Sequence, residues 1–130
     1  MAARQPPISE TELDVLKVLW EHGPATVRQV NAVLRKRRRR YAYTTVLTLL
    51  QRLEAKGHVT SDKGGVAHVF SAAVSRDGLL RRRLGELADD LCDGTATPLV
   101  QALVEGHRFT PEDIEHLRRL LDELEGQAEE

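Results

Sequence analysis

The sequence predicts a mainly α-helical fold with one small β-hairpin, divided into residues 1–75 and residues 76–130. Three observations predict it. Apolar residues recur at helical spacing along most of the 130-residue chain, as in Val46, Leu49, Leu50 and Leu53. Around Gly64-Gly65 that period gives way to two short extended runs flanking a glycine-bearing turn. The charge also changes sign: residues 1–75 hold about 12 Lys and Arg against about 6 Asp and Glu, and the remainder about 7 against about 14, within a net charge of only −1. A basic half followed by an acidic, leucine-rich half suggests an anionic partner for the first and a different task for the second.

Each element follows from local signals. Residues 1–7, with Pro6-Pro7, read as a loose tail. Ser9 as N-cap and Glu12 at the third helical position form a capping box, and Ile8 can staple onto Leu13. The first helix then shows Leu13, Leu16, Leu19 and Trp20 on an apolar face and stops at Gly23-Pro24. Thr26 and Gln29 form a second box, opening a helix with Val27, Val30, Val33 and Leu34 inward. This helix ends in the run Arg35, Lys36, Arg37, Arg38, Arg39, Arg40.

The third helix, Tyr41 to Gly57, turns Thr44, Thr48 and Gln51 away from its apolar stripe. Thr45 and Arg52 lie on one shoulder and Leu47 on the other, as packing or as a methyl contact. Glu54, on a flank, is its only carboxylate. Six consecutive cations repel one another, so helix stability does not explain them. Beside an acid-poor helix face they suit phosphate contacts. His58–Ser61 and Val66–Ser71 then read as strands around the turn Asp62–Gly65, with His68 a structural or surface position. Three helices and a hairpin are the order of a winged helix-turn-helix, with Lys63 at the wing tip.

The second half begins with Ser75 capping a helix to about Leu91, with Leu80, Leu84, Leu87 and Leu91 on one side. Gly94 breaks it. Thr97-Pro98 restarts a short helix carrying Leu99, Val100, Leu103 and Val104, and Thr110–Asp113 opens the last, with Ile114, Leu117, Leu121 and Leu124 at coiled-coil spacing. These helices cannot bury all this leucine among themselves. An identical chain is the expected cover, giving a dimerisation domain; the alternative is packing back on the wing domain.

Other function classes find little support. His22, His58, His68, His107, His116 and Cys92 are scattered, with no nucleophile motif, phosphate loop or paired metal-ligand spacing, so no catalytic residue, metal or cofactor is assigned. A sensor site at Cys92 with Asp89, Asp93 or a histidine, and a winged helix used only for protein contact, are the alternatives. One cysteine excludes an internal disulfide. With no apolar run long enough for a membrane and no signal-peptide pattern, the expected location is the cytoplasm.

The residues Ile8-Ser9-Glu10-Thr11-Glu12-Leu13 through Val18-Leu19-Trp20, Ala25 to Val30, Tyr43 to Leu53 with Lys56-Gly57, and the wing ending at Phe70 resemble the penicillinase-repressor family of bacterial transcription factors, the BlaI/MecI/CopY type. The resemblance is close from Ile8 to about Arg76 and general in the tail. It implies a homodimeric repressor on palindromic operators in double-stranded DNA, controlling genes of β-lactam resistance, metal homeostasis or stress response. It puts Thr44, Thr45, Thr48 and Arg52 against DNA. Gln51 joins them as a base contact by its chemistry, with Arg28, Arg35 to Arg40, Tyr43 and Lys63 on the backbone. Two departures stand out. The resistance branch is inactivated by cleavage at an Asn-Phe bond in the tail, whereas Asn31 is the only asparagine here and Phe109 follows Arg108; an upstream sensor protease is not established. The copper-responsive branch uses cysteine pairs, which a single cysteine cannot supply.

Overall fold

A computed structural model describes residues 7–128, so residues 1–6 of the expected tail lie outside the described residues. The elements are α1 (Glu10–His22), α2 (Val27–Lys36), α3 (Tyr43–Ala55), β1 (Val59–Asp62), β2 (Val69–Ala72), α4 (Arg76–Leu91), α5 (Thr97–Gly106) and α6 (Pro111–Ala128). Contacts divide the chain into two compact units, Met1–Arg81 and Arg82–Glu130. The division falls inside α4 rather than at the change of composition, because the start of α4 belongs to the first core. Trp20 Nε1 donates to the Val74 carbonyl at 2.8 Å, Arg76 lies over the indole at 5.6 Å, and Leu79 is buried.

In the first unit α1, α2 and α3 enclose Val15, Leu16, Val18, Val30, Leu34, Val46, Leu50 and Leu53. Burying a leucine or valine contributes about 1.5–3 kcal/mol, so these stripes supply the driving force that the scarce aromatics do not. Phe70 is the exception and closes the core from β2. Its amide and carbonyl each bond to Ala25, at 2.8 and 3.0 Å, so the turn between α1 and α2 runs as a bridge beside the hairpin.

Caps set the helix ends. Thr26 and Gln29 make both arms of the capping box. At α1 the Glu12 amide donates to Ser9 Oγ at 3.2 Å, but the Glu12 carboxylate is taken up by Lys56 instead of the Ser9 amide that a full box would use. Gly57, at φ 83°, closes α3 with the His58 amide on the Leu53 carbonyl and its own on Glu54, a Schellman end. The residue after it, His58, is buried beneath the hairpin and does not begin the strand.

The strands are therefore offset from the sequence expectation. They pair antiparallel as Val59↔Ala72, Thr60↔Ser71, Ser61↔Phe70 and Asp62↔Val69, leaving Lys63–His68 as a loop. Asp62 Oδ1 accepts from the Gly64 amide at 2.9 Å, which starts the turn at Asp62. Val66 has no apolar surface to cover and stands fully exposed, so the expected strand from Val66 begins at Val69.

α4 begins in the first unit at Ser75, whose Oγ accepts from the Gly78 amide at 2.9 Å, and ends in the second where Asp93 and Gly94 both turn left-handed. Thr110 and Asp113 cap α6 reciprocally at 3.0 and 3.1 Å. Neither α5 nor α6 buries a single described residue. Leu80, Leu84, Leu87, Leu91, Leu103, Ile114, Leu117, Leu121 and Leu124 are all exposed, and Leu99 is half-buried.

Candidate nucleic-acid interface

The inner stripe of α3 is fully committed to the core, which fixes what the other side presents. Thr44, Thr45, Thr48, Gln51 and Arg52 are exposed together, and Leu47 is half-buried against the core. No acid sits in the first turn of α3, and its N-cap, Ala42, offers no side-chain acceptor. The positive end of the helix dipole is thus left for an outside anion. Glu54 does not spoil the face, since it is half-buried and accepts from the Ser61 hydroxyl of β1.

Thr48 Oγ1 donates to the Thr44 carbonyl at 2.9 Å. With its proton committed, Thr48 offers a hydrogen-bond acceptor and a methyl group, which suits an exocyclic amine or a thymine methyl in the major groove. Beside it an open cleft of about 570 Å³ runs between the start of α2, the face of α3 and the wing loop, lined by Arg28, Tyr43, Leu47, Gln51, Val66 and His68 among others. The fold therefore brings together three expected DNA contacts from α2 and α3, namely Arg28, Tyr43 and Gln51. It adds His68 to them. Lys63 is exposed at the start of the wing loop.

The basic run divides. Arg35 and Lys36 lie in the last turn of α2, Arg37 caps it, and Arg38 to Arg40 form the loop before α3. Arg37 pairs with Glu21, and Arg39 Nε lies 3.7 Å from Asp14. Asp14 also accepts from the Tyr41 hydroxyl at 3.3 Å; burial and then this carboxylate raise the Tyr41 hydroxyl above its ordinary pKa.

The sequence profile described as penicillinase repressor matches residues 8–123. The chain belongs to the penicillinase repressor family. Members of this family are winged-helix, DNA-binding transcriptional repressors and not enzymes. The chain is 36% identical over 121 residues to the transcriptional regulator BlaI of Mycobacterium tuberculosis, covering 91% of this chain and 85% of that protein. It is 26% identical over 125 residues to the penicillinase repressor of Bacillus licheniformis, covering 96% and 97%. The solution structure of the DNA-binding domain of the repressor BlaI aligns at TM-score 0.50 and 30% identity, over 59% of this chain and 93% of that one.

Several residues of this repressor's DNA-binding unit were not readable as partners in the sequence. Glu12 and Lys56 form a partly buried ion pair, with Lys56 Nζ 2.8 Å from both carboxylate oxygens and from the Pro7 carbonyl. Lys56 is the C-cap of α3, so the pair fastens the end of that helix to the start of α1. Burial alone would raise the Glu12 carboxyl, but the hydrogen bonds from Lys56 and Ser9 outweigh it and hold it below its ordinary value. The capping box had already accounted for Glu12, and nothing local marks Lys56 as its partner. No helix among the described residues is long and apolar enough to cross a membrane.

Proposed function

We propose that the chain is a cytoplasmic repressor that binds inverted-repeat operators as a homodimer, each α3 entering a major groove. Thr44, Thr48 and Gln51 face base edges, Thr45 and Arg52 face base or backbone, and Arg28, Tyr43, Lys63 and the Arg35–Arg40 run meet phosphates. The observation that carries this reading is the outer face of α3, exposed, without an acid and flanked by Arg28, Tyr43 and the wing loop in one cleft. The relative's DNA-binding domain supports it. The exposed leucines of α4 and α6, with Leu99 and Leu103 of α5, support the second unit as the dimer contact, since a monomer would leave a large apolar surface in water. Asn31 lies within α2 and is followed by Ala32, so cleavage at an Asn-Phe bond has no part in the proposal.

Selection of bound fragments from the source genome tests it and reads the regulon directly. The expected motif is an inverted repeat whose half-sites lie about 10 base pairs, or a multiple, apart. Recovery of no common motif would count against it. Sedimentation tests the dimer separately, and a persistent monomer at micromolar concentration would defeat that part.

A further inference from the structure

We infer that the basic run between α2 and α3 is divided by its backbone: Arg37 and Arg39 tie the loop to α1, and Arg38, left-handed between them, is held out to meet a DNA phosphate. The inference rests on the DNA-binding reading and narrows it, removing Arg37 and Arg39 from the phosphate contacts proposed for a run that the sequence presents as uniform.

The first observation is backbone geometry. The Arg39 amide donates to the Leu34 carbonyl at 2.8 Å and the Arg38 amide to the Arg35 carbonyl at 3.0 Å, so α2 ends in the same Schellman pattern as α3. At α3 the left-handed position is Gly57, φ 83°. At α2 it is Arg38, φ 62°. A Cβ in this region crowds the following carbonyl, and glycine is the residue that avoids the cost. Among the described residues only Arg38 and Asp93 take a positive φ without being glycine. Strain of this kind persists only where the surrounding structure holds it in place, and it clusters at functional sites.

The second observation is the pairing on either side. Arg37 pairs with Glu21, which also lies 3.8 Å from Arg76. Arg39 and Tyr41 share Asp14. Both acids lie on α1, so every second residue from Arg37 to Tyr41 is drawn to that helix. Arg38 lies between the two tied arginines, exposed and without an acidic partner among the described residues. Its loop leads directly into the uncapped start of α3. A guanidinium carried there reaches an anionic backbone without first breaking an internal pair.

The test uses the full chain and a mixed-sequence duplex of about 30 base pairs, because the phosphate contribution is independent of sequence. Affinity is measured by anisotropy across a salt series, with thermal unfolding alongside. Arg38→Gly is expected to make the slope of log K against log salt shallower by about 0.9 per bound protomer, with a Tm equal to or above that of the parent. Arg38→Lys, which keeps the charge, retains the parental slope. Arg37→Ala and Arg39→Ala retain the slope and lower Tm, and the Tm loss from Arg37→Ala disappears in a Glu21→Gln background. A parent that shows no salt-dependent binding would defeat the DNA-binding reading itself. A parent that binds, with Arg38→Gly at the parental slope or Arg37→Ala as shallow as Arg38→Gly, would overturn the division alone.

Discussion

Replacing Lys56 with Met would leave the Glu12 carboxylate in the protein with only Ser9 to hold it. The two side chains retain 23% and 4% of their surface, and the ammonium lies 2.8 Å from both carboxylate oxygens. Removing one member of a buried pair costs about 3–5 kcal/mol; because Lys56 keeps some contact with water, we expect about 2–3 kcal/mol near pH 7. The pH dependence has a definite sign. Glu12 is held below its ordinary value of 4.5, so in the parent it contributes stability above that pH, lost as pH falls through the folded value. In Lys56→Met the lysine's hydrogen bonds and charge are lost, so the folded carboxyl lies above its value in the parent. The cost of the substitution therefore shrinks on acidification, as pH falls through the variant's folded value and then the parent's. Urea unfolding at fixed protomer concentration, followed by Trp20, the only tryptophan, measures both quantities. A cost below about 0.5 kcal/mol at neutral pH, as for an exposed pair, or one unchanged on acidification, would refute the reasoning.

Leu50→Ala, at a fully buried position of α3, should lower unfolding free energy by about 2–5 kcal/mol in the same assay. Gly57→Ala should cost about 1 kcal/mol; no atom lies within 4 Å of an added Cβ, so the loss is conformational, from φ 83°. Leu117→Glu, on the exposed stripe of α6, should shift the sedimenting species to monomer while leaving the Trp20-reported unfolding of the first unit within about 0.5 kcal/mol of the parent.

Much of the fold was legible because its signals are local. Ser9, Thr26, Ser75 and Thr110 start helices within a residue of where their hydrogen bonds fall, and Gly57 ends α3 for the reason its position suggests. The hairpin register was not legible, since Val66 and Val69 alternate equally well with their neighbours. The choice is made by Phe70 entering the core and bonding to Ala25, far away in sequence. The face of α3 could be read from period alone, but its inner workings could not. The commitment of the Thr48 proton to Thr44, the pairing of Glu12 with a lysine 44 residues away and the cleft that takes in His68 all depend on tertiary placement. Within the run of arginines, nothing distinguishes the one that turns left-handed from its neighbours.

The affinity ratio between an operator recovered from the genome and a scrambled duplex, compared for the parent and Thr48→Ala at one salt concentration, tests the central claim most directly. The parent should prefer the operator by about 10³-fold or more. Thr48→Ala should lose about 1–3 kcal/mol of that preference while binding the scrambled duplex as the parent does. A parental ratio near one, or a ratio unmoved by Thr48→Ala, would contradict the assignment of α3 as the element that reads DNA.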